Sequence, residues 1–308
     1  MNFFSYASLV CSSLLWVASS AVAGVNCSST SLGALGGAAN AVELSDGGIA
    51  AFSKLNINID GYGRSYHLKD QSIALIHLCN AGRVYKPDGS SYEGSESNAT
   101  CTGRFMTDVA AIQAAGWKDP AVGVVNWYGI LGGNSATIRG KNINNVIPVM
   151  QKDGSGFAVS PTKLSDLSIS DATDQSKYVN PLRIPAAVAP RSLVKKGVAM
   201  GSFGVVYNTK TRKAVPFVVG DVGPRIGEGS LALARLASGF PLKDDIKRSD
   251  RYAGQVDRPI VLWVFFGREA ARFDSRNEQA IVEKSRAAFE EWGGEARLQA
   301  CVASVPRN

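Results

Sequence analysis

A series of four apolar, strand-like segments in the second half of the chain most limits the folds that it can adopt. These segments are rich in Val, Ile, Phe and Ala and are bounded by Gly, Pro or polar residues: 182–190, 198–208, 213–221 and 258–267. Short apolar runs of this composition are typical of buried β-strands. The polar residues NTKTRK between the second and third runs predict a hairpin turn. The pattern therefore predicts a mainly β protein.

Other segments predict one more strand and a few helices. KLNINID at 54–60 alternates apolar and polar residues, as a half-buried strand does. The stretches at 104–116 and 275–294 have helical spacing, and each ends at glycine. Residues 24–48 are rich in Ser, Gly and Ala and predict a loosely packed segment. Because there is no internal repeat and no long linker, we expect residues 24–308 to form a single domain.

The amino-terminal residues have the features of a secretory signal peptide. Residues 1–23 carry no charged side chain, and their apolar run LVCSSLLWVASS is too short to span a bilayer. The small residues AVA precede Gly24 and predict cleavage after Ala23. No later window is apolar enough to be a membrane span. We therefore expect a secreted or periplasmic protein.

The cysteine count is consistent with an oxidising compartment. Cleavage removes Cys11 and leaves an even set of four cysteines, which allows three pairings. We favour one disulfide that closes a polar loop, Cys79–Cys101, and one that joins the two chain ends, Cys27–Cys301.

No pattern for a metal or another cofactor is present. The cysteine spacings do not suit a zinc site, and the histidines of the chain are His67 and His77. The formal net charge of +7 favours anionic partners. However, the Lys and Arg residues are scattered, without a basic stripe that alternates with aromatic residues, so we do not expect nucleic-acid binding. We expect a monomer.

Two carboxylates flank a glycine-rich turn in the stretch FVVGDVGPRIGEGSLALARL at 217–236. Asp221 follows an apolar strand, where partial burial would raise its pKa. Glu228 is predicted at or just before the start of a helix, where the helix dipole favours a charged carboxylate. Glycoside hydrolysis needs two carboxyl groups in such different environments. The alternative is structural, since Asp is common in turns and Glu is common at helix caps.

The same stretch resembles the signature of the secreted chitosanases of glycoside hydrolase family 75. In that family a Gly-Asp after a strand is followed by a Gly-Glu-x-Ser that opens a helix, as in VVGDVGPRIGEGSLALA here. NINIDGYGRSYH and YVNPLRIPAAVAP also look like segments of that family. The resemblance covers 54–67, 153–236 and 258–267 and implies that Asp221 and Glu228 are the catalytic pair.

The stretch also resembles the motif of double-psi β-barrels, which include rare-lipoprotein-type lytic transglycosylases and expansins. This resemblance implies a six-stranded double-psi β-barrel core with insertions and peripheral helices. The barrel core would lie in 153–267, with an insertion of unknown role at 68–152 and a closing helix at 275–300.

Three residues of the early turn are further candidates for the substrate site. Asp60 is a candidate third acid, although an Asp before Gly is equally typical of a turn. Tyr62 stands where the family usually carries a second acidic residue. His67 is a candidate to orient a carboxylate or substrate, and a structural, hydrogen-bonded histidine is the alternative.

Three other side chains are candidates for binding a polymer. Trp127 and Tyr128 are followed by glycines and could stack on sugar rings, or they could pack a small core. Ser230 follows Glu228 by two residues, so its hydroxyl could cap the helix or hold a catalytic carboxylate.

The resemblance implies an endo-chitosanase that cleaves β-1,4 linkages of an amino-sugar polysaccharide with inversion. An alternative is a muramidase or lytic transglycosylase, because peptidoglycan carries carboxylates and the positive net charge favours it over cationic chitosan. A second alternative is an expansin-like protein that binds wall polymers without cleaving them. The expected partner is in each case a polysaccharide.

Overall fold

A computed structural model describes residues 26–307. The predicted signal peptide, its cleavage site and Cys11 lie outside the described residues. Within residues 26–307, no helix is long and apolar enough to cross a membrane.

The described residues form thirteen strands and five α-helices. The strands are β1 (Ser29–Leu35), β2 (Ala38–Leu44), β3 (Ile49–Asn58), β4 (Gly82–Tyr85), β5 (Ser91–Glu93), β6 (Val124–Trp127), β7 (Gly132–Ile138), β8 (Lys141–Pro148), β9 (Ala186–Pro190), β10 (Ser202–Asn208), β11 (Lys213–Gly223), β12 (Glu228–Ser230) and β13 (Val256–Ala270). The helices are α1 (Phe105–Ala114), α2 (Arg191–Lys195), α3 (Leu231–Ala237), α4 (Glu278–Trp292) and α5 (Gly294–Ser304).

Six of these strands close into a barrel. Their order is β3-β12-β9-β11-β10-β13, and β13 pairs back onto β3. The β12–β3 and β11–β9 pairs are parallel, and the other pairs are antiparallel. β2 and β1 extend the sheet outward from β3. The prediction of a mainly β fold with a six-stranded barrel and peripheral helices is therefore confirmed, and the mixed pairing is compatible with a double-psi barrel.

Burial on both faces explains the continuous apolar sequence of β13. Trp263 and Phe265 pack with Phe217 of β11 in one cluster of buried side chains. The alternate residues Leu262 and Val264 belong to a second cluster, which contains side chains of α4 and α5. A strand that is covered on both faces has no position for a polar side chain that faces solvent.

Two disulfides tie down the periphery of the fold. Cys27, next to β1, is bonded to Cys301 of α5. Cys79 is bonded to Cys101, and both lie in the segment that connects β3 to the rest of the barrel. These are the two pairings favoured from the sequence.

The segment 68–152 has a core of its own. It contains the sheet β5-β4-β6, the hairpin β7-β8 and α1. Phe105 and Trp127 pack edge to face in its core, and Tyr66 joins the same cluster from the turn after β3. Through Tyr66 this segment adjoins the barrel end where β3 stops.

Candidate functional site

Three carboxyl groups converge at one end of the barrel, each on or just after a different strand. Asp60 lies two residues after β3 ends, Asp221 lies near the end of β11, and Glu228 begins β12. The strands are neighbours, because β12 pairs with both β3 and β9 while β9 pairs with β11. The sheet thus assembles acids that are up to 168 positions apart in the sequence, as residues 60 and 228 are.

A β-bulge sets the direction of Asp221. The register between β11 and β9 shifts between Val219 and Asp221, so that one extra residue, Gly220, lies in β11. Bulges interrupt strand alternation and turn a side chain toward a new direction. A Cβ on Gly220 would lie 3.1 Å from the Ala186 methyl, so a larger residue would crowd the neighbouring strand.

Glu228 lies on the short strand β12, just before the start of α3. Glu228 opposes Asn56 of β3, and α3 begins only at Leu231. The preceding Gly227 has a φ of +107°, and a Cβ there would lie 2.5 Å from Ser53 Oγ. After this tight turn, Glu228 pairs with β3 before α3 begins. The helical spacing of the sequence did not indicate this short strand.

Burial gives two of the acids unusual pKa values. Burial, then the negative charge of Asp221, raises the pKa of Asp60 to about 8, although hydrogen bonds from Tyr66 and Asn58 oppose the shift. Burial also raises the pKa of Asp221 to about 6. The backbone N–H groups of Val222 and Lys163 donate to its carboxylate and oppose this increase. Both acids can therefore hold a proton at a pH where an exposed Asp cannot.

A hydrogen-bond network connects the acids to the turn after β3. The Asn58 side-chain amide donates to Glu228 Oε1 at 3.0 Å and to Asp60 Oδ2 at 3.4 Å. The Tyr66 hydroxyl donates to Asp60 Oδ1 at 2.9 Å, and Ser160 Oγ lies 3.5 Å from the same oxygen. Asn58 therefore fixes two of the three carboxyl groups relative to each other.

A small cavity lies between Asp60 and Asp221. It has a volume of about 20 Å³ and is lined mainly by apolar side chains and strand backbone, including those of Pro181 and Ala187. A space of this size holds about one water molecule. The polar groups at its wall are those of Asn58, Asp60, Thr162, Asp221 and Ser230.

Ser230 caps a helix, which was the first of the two roles considered for its hydroxyl, and does not hold a catalytic carboxylate. Its Oγ accepts from the Leu233 N–H at 3.1 Å and so caps α3. The same oxygen accepts from the Ala186 N–H and donates to the Ile184 carbonyl. The residue is buried and joins α3 to the start of β9, so its hydroxyl is fully used by backbone groups.

The adjacent aromatic residues Trp127 and Tyr128 have opposite environments. Trp127 is 1% exposed, and its indole N–H donates to the Val146 carbonyl, so its ring cannot stack on a sugar. Tyr128 is 51% exposed, and its hydroxyl donates to Glu93 Oε2 at 2.9 Å. Alternation along the end of β6 explains the difference, because successive side chains point to opposite faces.

Tyr128 adjoins the acid cluster. The carbonyl of the next residue, Gly129, accepts from Ser160 Oγ, which also contacts Asp60. Partial burial, followed by the charge and hydrogen bond of Glu93, raises the pKa of Tyr128, and the charge of Asp60 adds to the shift. The exposed ring therefore lies at the edge of the site.

Tyr62 and His67 have their contacts outside the cluster of three acids. The Tyr62 hydroxyl donates to Asp245 at 3.1 Å. His67 is buried, and its Nδ1 accepts from the backbone N–H groups of Lys69 and Asp70 while its ring packs on Phe157. The structure thus supports the structural alternative for His67, and neither side chain forms a hydrogen bond with any of the three clustered acids.

One group of possible metal ligands occurs among the described residues. It consists of His77, Cys79 and Cys101. The two sulfurs are bonded to each other in a disulfide and are not thiolates, so this group lacks the donors that a zinc site requires.

Asn58 and Tyr66 were not identified from the sequence. A signal for Asn58 was present, because NINID alternates and places Asn58 and Asp60 on the same side of the chain. Tyr66 gave no signal, since its contact with Asp60 depends on how the turn folds back.

A scan against known protein families gives no matching family model, and a search of curated proteins gives no significant match. The resemblance of 217–236 to family 75 chitosanases thus rests on the motif residues alone.

Proposed function

We propose that the protein is a secreted glycoside hydrolase that cleaves β-1,4 linkages of an amino-sugar polysaccharide. The observation that carries the proposal is the cluster of carboxyl groups in unequal environments at one end of the barrel. Asp221, with its pKa raised to about 6, is suited to hold a proton, whereas Glu228 accepts a hydrogen bond from Asn58. An acid of the first kind and an oriented carboxylate of the second are what glycoside hydrolysis requires.

In this mechanism Asp221 is the general acid and Glu228 is the general base. Asp221 gives its proton to the glycosidic oxygen as the bond to the anomeric carbon breaks. Glu228 removes a proton from the water that attacks the same carbon from the opposite face, which inverts its configuration. The direct attack and the inversion are those implied by the resemblance to family 75.

Asp60 has a supporting role in this proposal. Its pKa of about 8 keeps it mostly protonated near neutral pH, so it does not add a third negative charge beside Asp221. As it loses its proton at higher pH, its charge would hold the proton of Asp221 more tightly.

The resemblance implies chitosan as the polymer, and peptidoglycan is the second candidate. The observation that favours peptidoglycan is the net charge of +7, because cationic chitosan is repelled by such a protein and a carboxylate-bearing polymer is attracted. The test is the release of reducing ends from both polymers by the wild-type protein. Release from either polymer supports a hydrolase and identifies the polymer. Binding to both without release from either contradicts a hydrolase and leaves two alternatives, the expansin-like protein and the lytic transglycosylase, whose 1,6-anhydro products have no free reducing end.

The exposed ring of Tyr128 is predicted to stack on a sugar. We expect Tyr128→Ala to raise KM by about 5-fold with little change in kcat, since an aromatic contact of this kind contributes about 1 kcal/mol. Tyr128→Phe keeps the ring and loses only the hydrogen bond to Glu93, so its KM should stay near the wild-type value. Equal effects of the two substitutions would show that the hydroxyl, and not the ring, is what matters.

A further inference from the structure

A second cavity, much larger than the first, lies beside Asp221. We call it the 163–276 groove, and its volume is about 710 Å³, which is in the range of sites that bind a sugar-sized ligand. Its walls are two segments that are distant in sequence, Lys163–Ser168 and Ala270–Asp274, together with Met200 and Arg276.

The groove adjoins the acid cluster. The Lys163 backbone N–H donates to Asp221 Oδ1 at 3.2 Å, and the Leu164 N–H donates to the Gly220 carbonyl at 2.9 Å. Thr162 lines the small cavity at the acids, and the next residue lines the groove. A polymer that placed one linkage at Asp221 would therefore extend a neighbouring unit or its substituent into the groove.

The cations of the groove outnumber its available anions. Lys163 and Arg272 are exposed, and neither has a carboxylate within ion-pair distance among the described residues. Arg276 has a single partner, Asp274, at 3.4 Å. Asp166 accepts four hydrogen bonds from backbone N–H and hydroxyl groups of Ser168 and Ser275, so its oxygens are already used.

The groove also has an apolar component. Leu167 is 80% exposed and lines the groove. Met200 and the buried Phe273 contribute further apolar surface to the walls. A suitable ligand would combine a short apolar part with a negative charge.

We propose that the 163–276 groove binds a carboxylate-bearing substituent of the polymer. The inference rests on the proposed function and refines it, because it makes the substrate an acidic amino-sugar polymer, chemically of the peptidoglycan type, and not cationic chitosan. Lys163 and Arg272 pair with the carboxylate, and Leu167 contacts the aliphatic part of the substituent.

Binding to insoluble peptidoglycan tests the inference independently of catalysis. The wild-type protein is sedimented with native peptidoglycan and with peptidoglycan whose carboxyl groups have been converted to amides. We expect about 10-fold tighter binding to the native polymer, the ratio given by two charge pairs of about 0.7 kcal/mol each. In Lys163→Gln/Arg272→Gln this ratio should fall to near one.

The matched control is Lys210→Gln/Arg258→Gln, which removes two exposed cations at the other end of β10 and β13. It has the same net charge as the groove variant and should keep the 10-fold ratio. Equal loss in the two variants would mean that net charge, not the groove, attracts the polymer, and an unchanged ratio in the groove variant would overturn the inference. Failure of the proposed function is a separate result, namely no release of reducing ends from either polymer.

Discussion

We expect Asp221→Asn to lower kcat/KM by about 10³-fold on the polymer that the wild-type protein cleaves, because an amide cannot deliver the proton of a general acid. The fold should survive the substitution. Asn has nearly the same shape, and its side-chain oxygen can still accept from the N–H groups of Val222 and Lys163. The measurement is the initial rate of reducing-end release at several substrate concentrations, with thermal unfolding as a check on the fold.

The pH dependence of the wild-type rate belongs to the same prediction. With Asp221 as the acid, kcat/KM should decrease above pH of about 6, where this group loses its proton. Asp257→Asn is the control, because Asp257 is an exposed carboxylate of β13 that contacts Gln255. A rate that Asp221→Asn leaves within about 3-fold of the control would contradict a general-acid role, since such catalysis contributes about 10²-fold or more.

Asp60→Asn should change how stability depends on pH. The ordinary pKa of an Asp is 3.8, the value expected in the unfolded chain, and that of Asp60 in the folded protein is about 8. Between these two pH values the folded chain retains a proton that the unfolded chain has released. The free energy of unfolding of the wild type therefore falls as pH rises from about 4 to about 8, by up to about 5 kcal/mol for this group. Asn does not titrate, and the variant should lose correspondingly less stability over this interval.

Urea unfolding at the two ends of the pH interval measures the difference. Asp221 contributes a smaller decrease of the same sign. Because the charges of the two acids shift each other's pKa, the difference between the two proteins measures Asp60 together with its coupling to Asp221. Tyr66→Phe is an informative companion variant, because it removes the hydroxyl that donates to Asp60 and keeps the buried ring. Parallel stability curves for the wild type and Asp60→Asn would show that Asp60 does not hold its proton in the folded state.

The barrel strands could be predicted from the sequence because their residues are buried on both faces. The apolar runs at 213–221 and 258–267 correspond to β11 and β13, and the NTKTRK turn joins β10 to β11 as expected. β1 and β2 were missed, since residues 24–48 are small and polar. Their pairing with β3, and not their own composition, makes them strands.

The sequence identified the three acids of the candidate site, but it gave less information about the side chains around them. Asp221 lies in β11, which the run at 213–221 predicts, and Asp60 follows β3, whose second half the run at 54–60 predicts. Their convergence follows from the barrel topology. Glu228 lies just before α3, as predicted, but the strand β12 that carries it was missed, because a three-residue strand is too short to show any alternation. Trp127 and Tyr128 could not be told apart, since two adjacent aromatics give no indication of which one faces the core.

The proposed mechanism requires Asp221 and Glu228 to act together on one glycosidic bond. The most direct test compares kcat/KM of Asp221→Asn, Glu228→Gln and the double variant with that of the wild type. Residues that act as a unit lose activity non-additively, so we predict about 10³-fold loss in each single variant and a similar loss in the double variant. Wild-type activity in either single variant would contradict the claim and leave that carboxylate with a structural role.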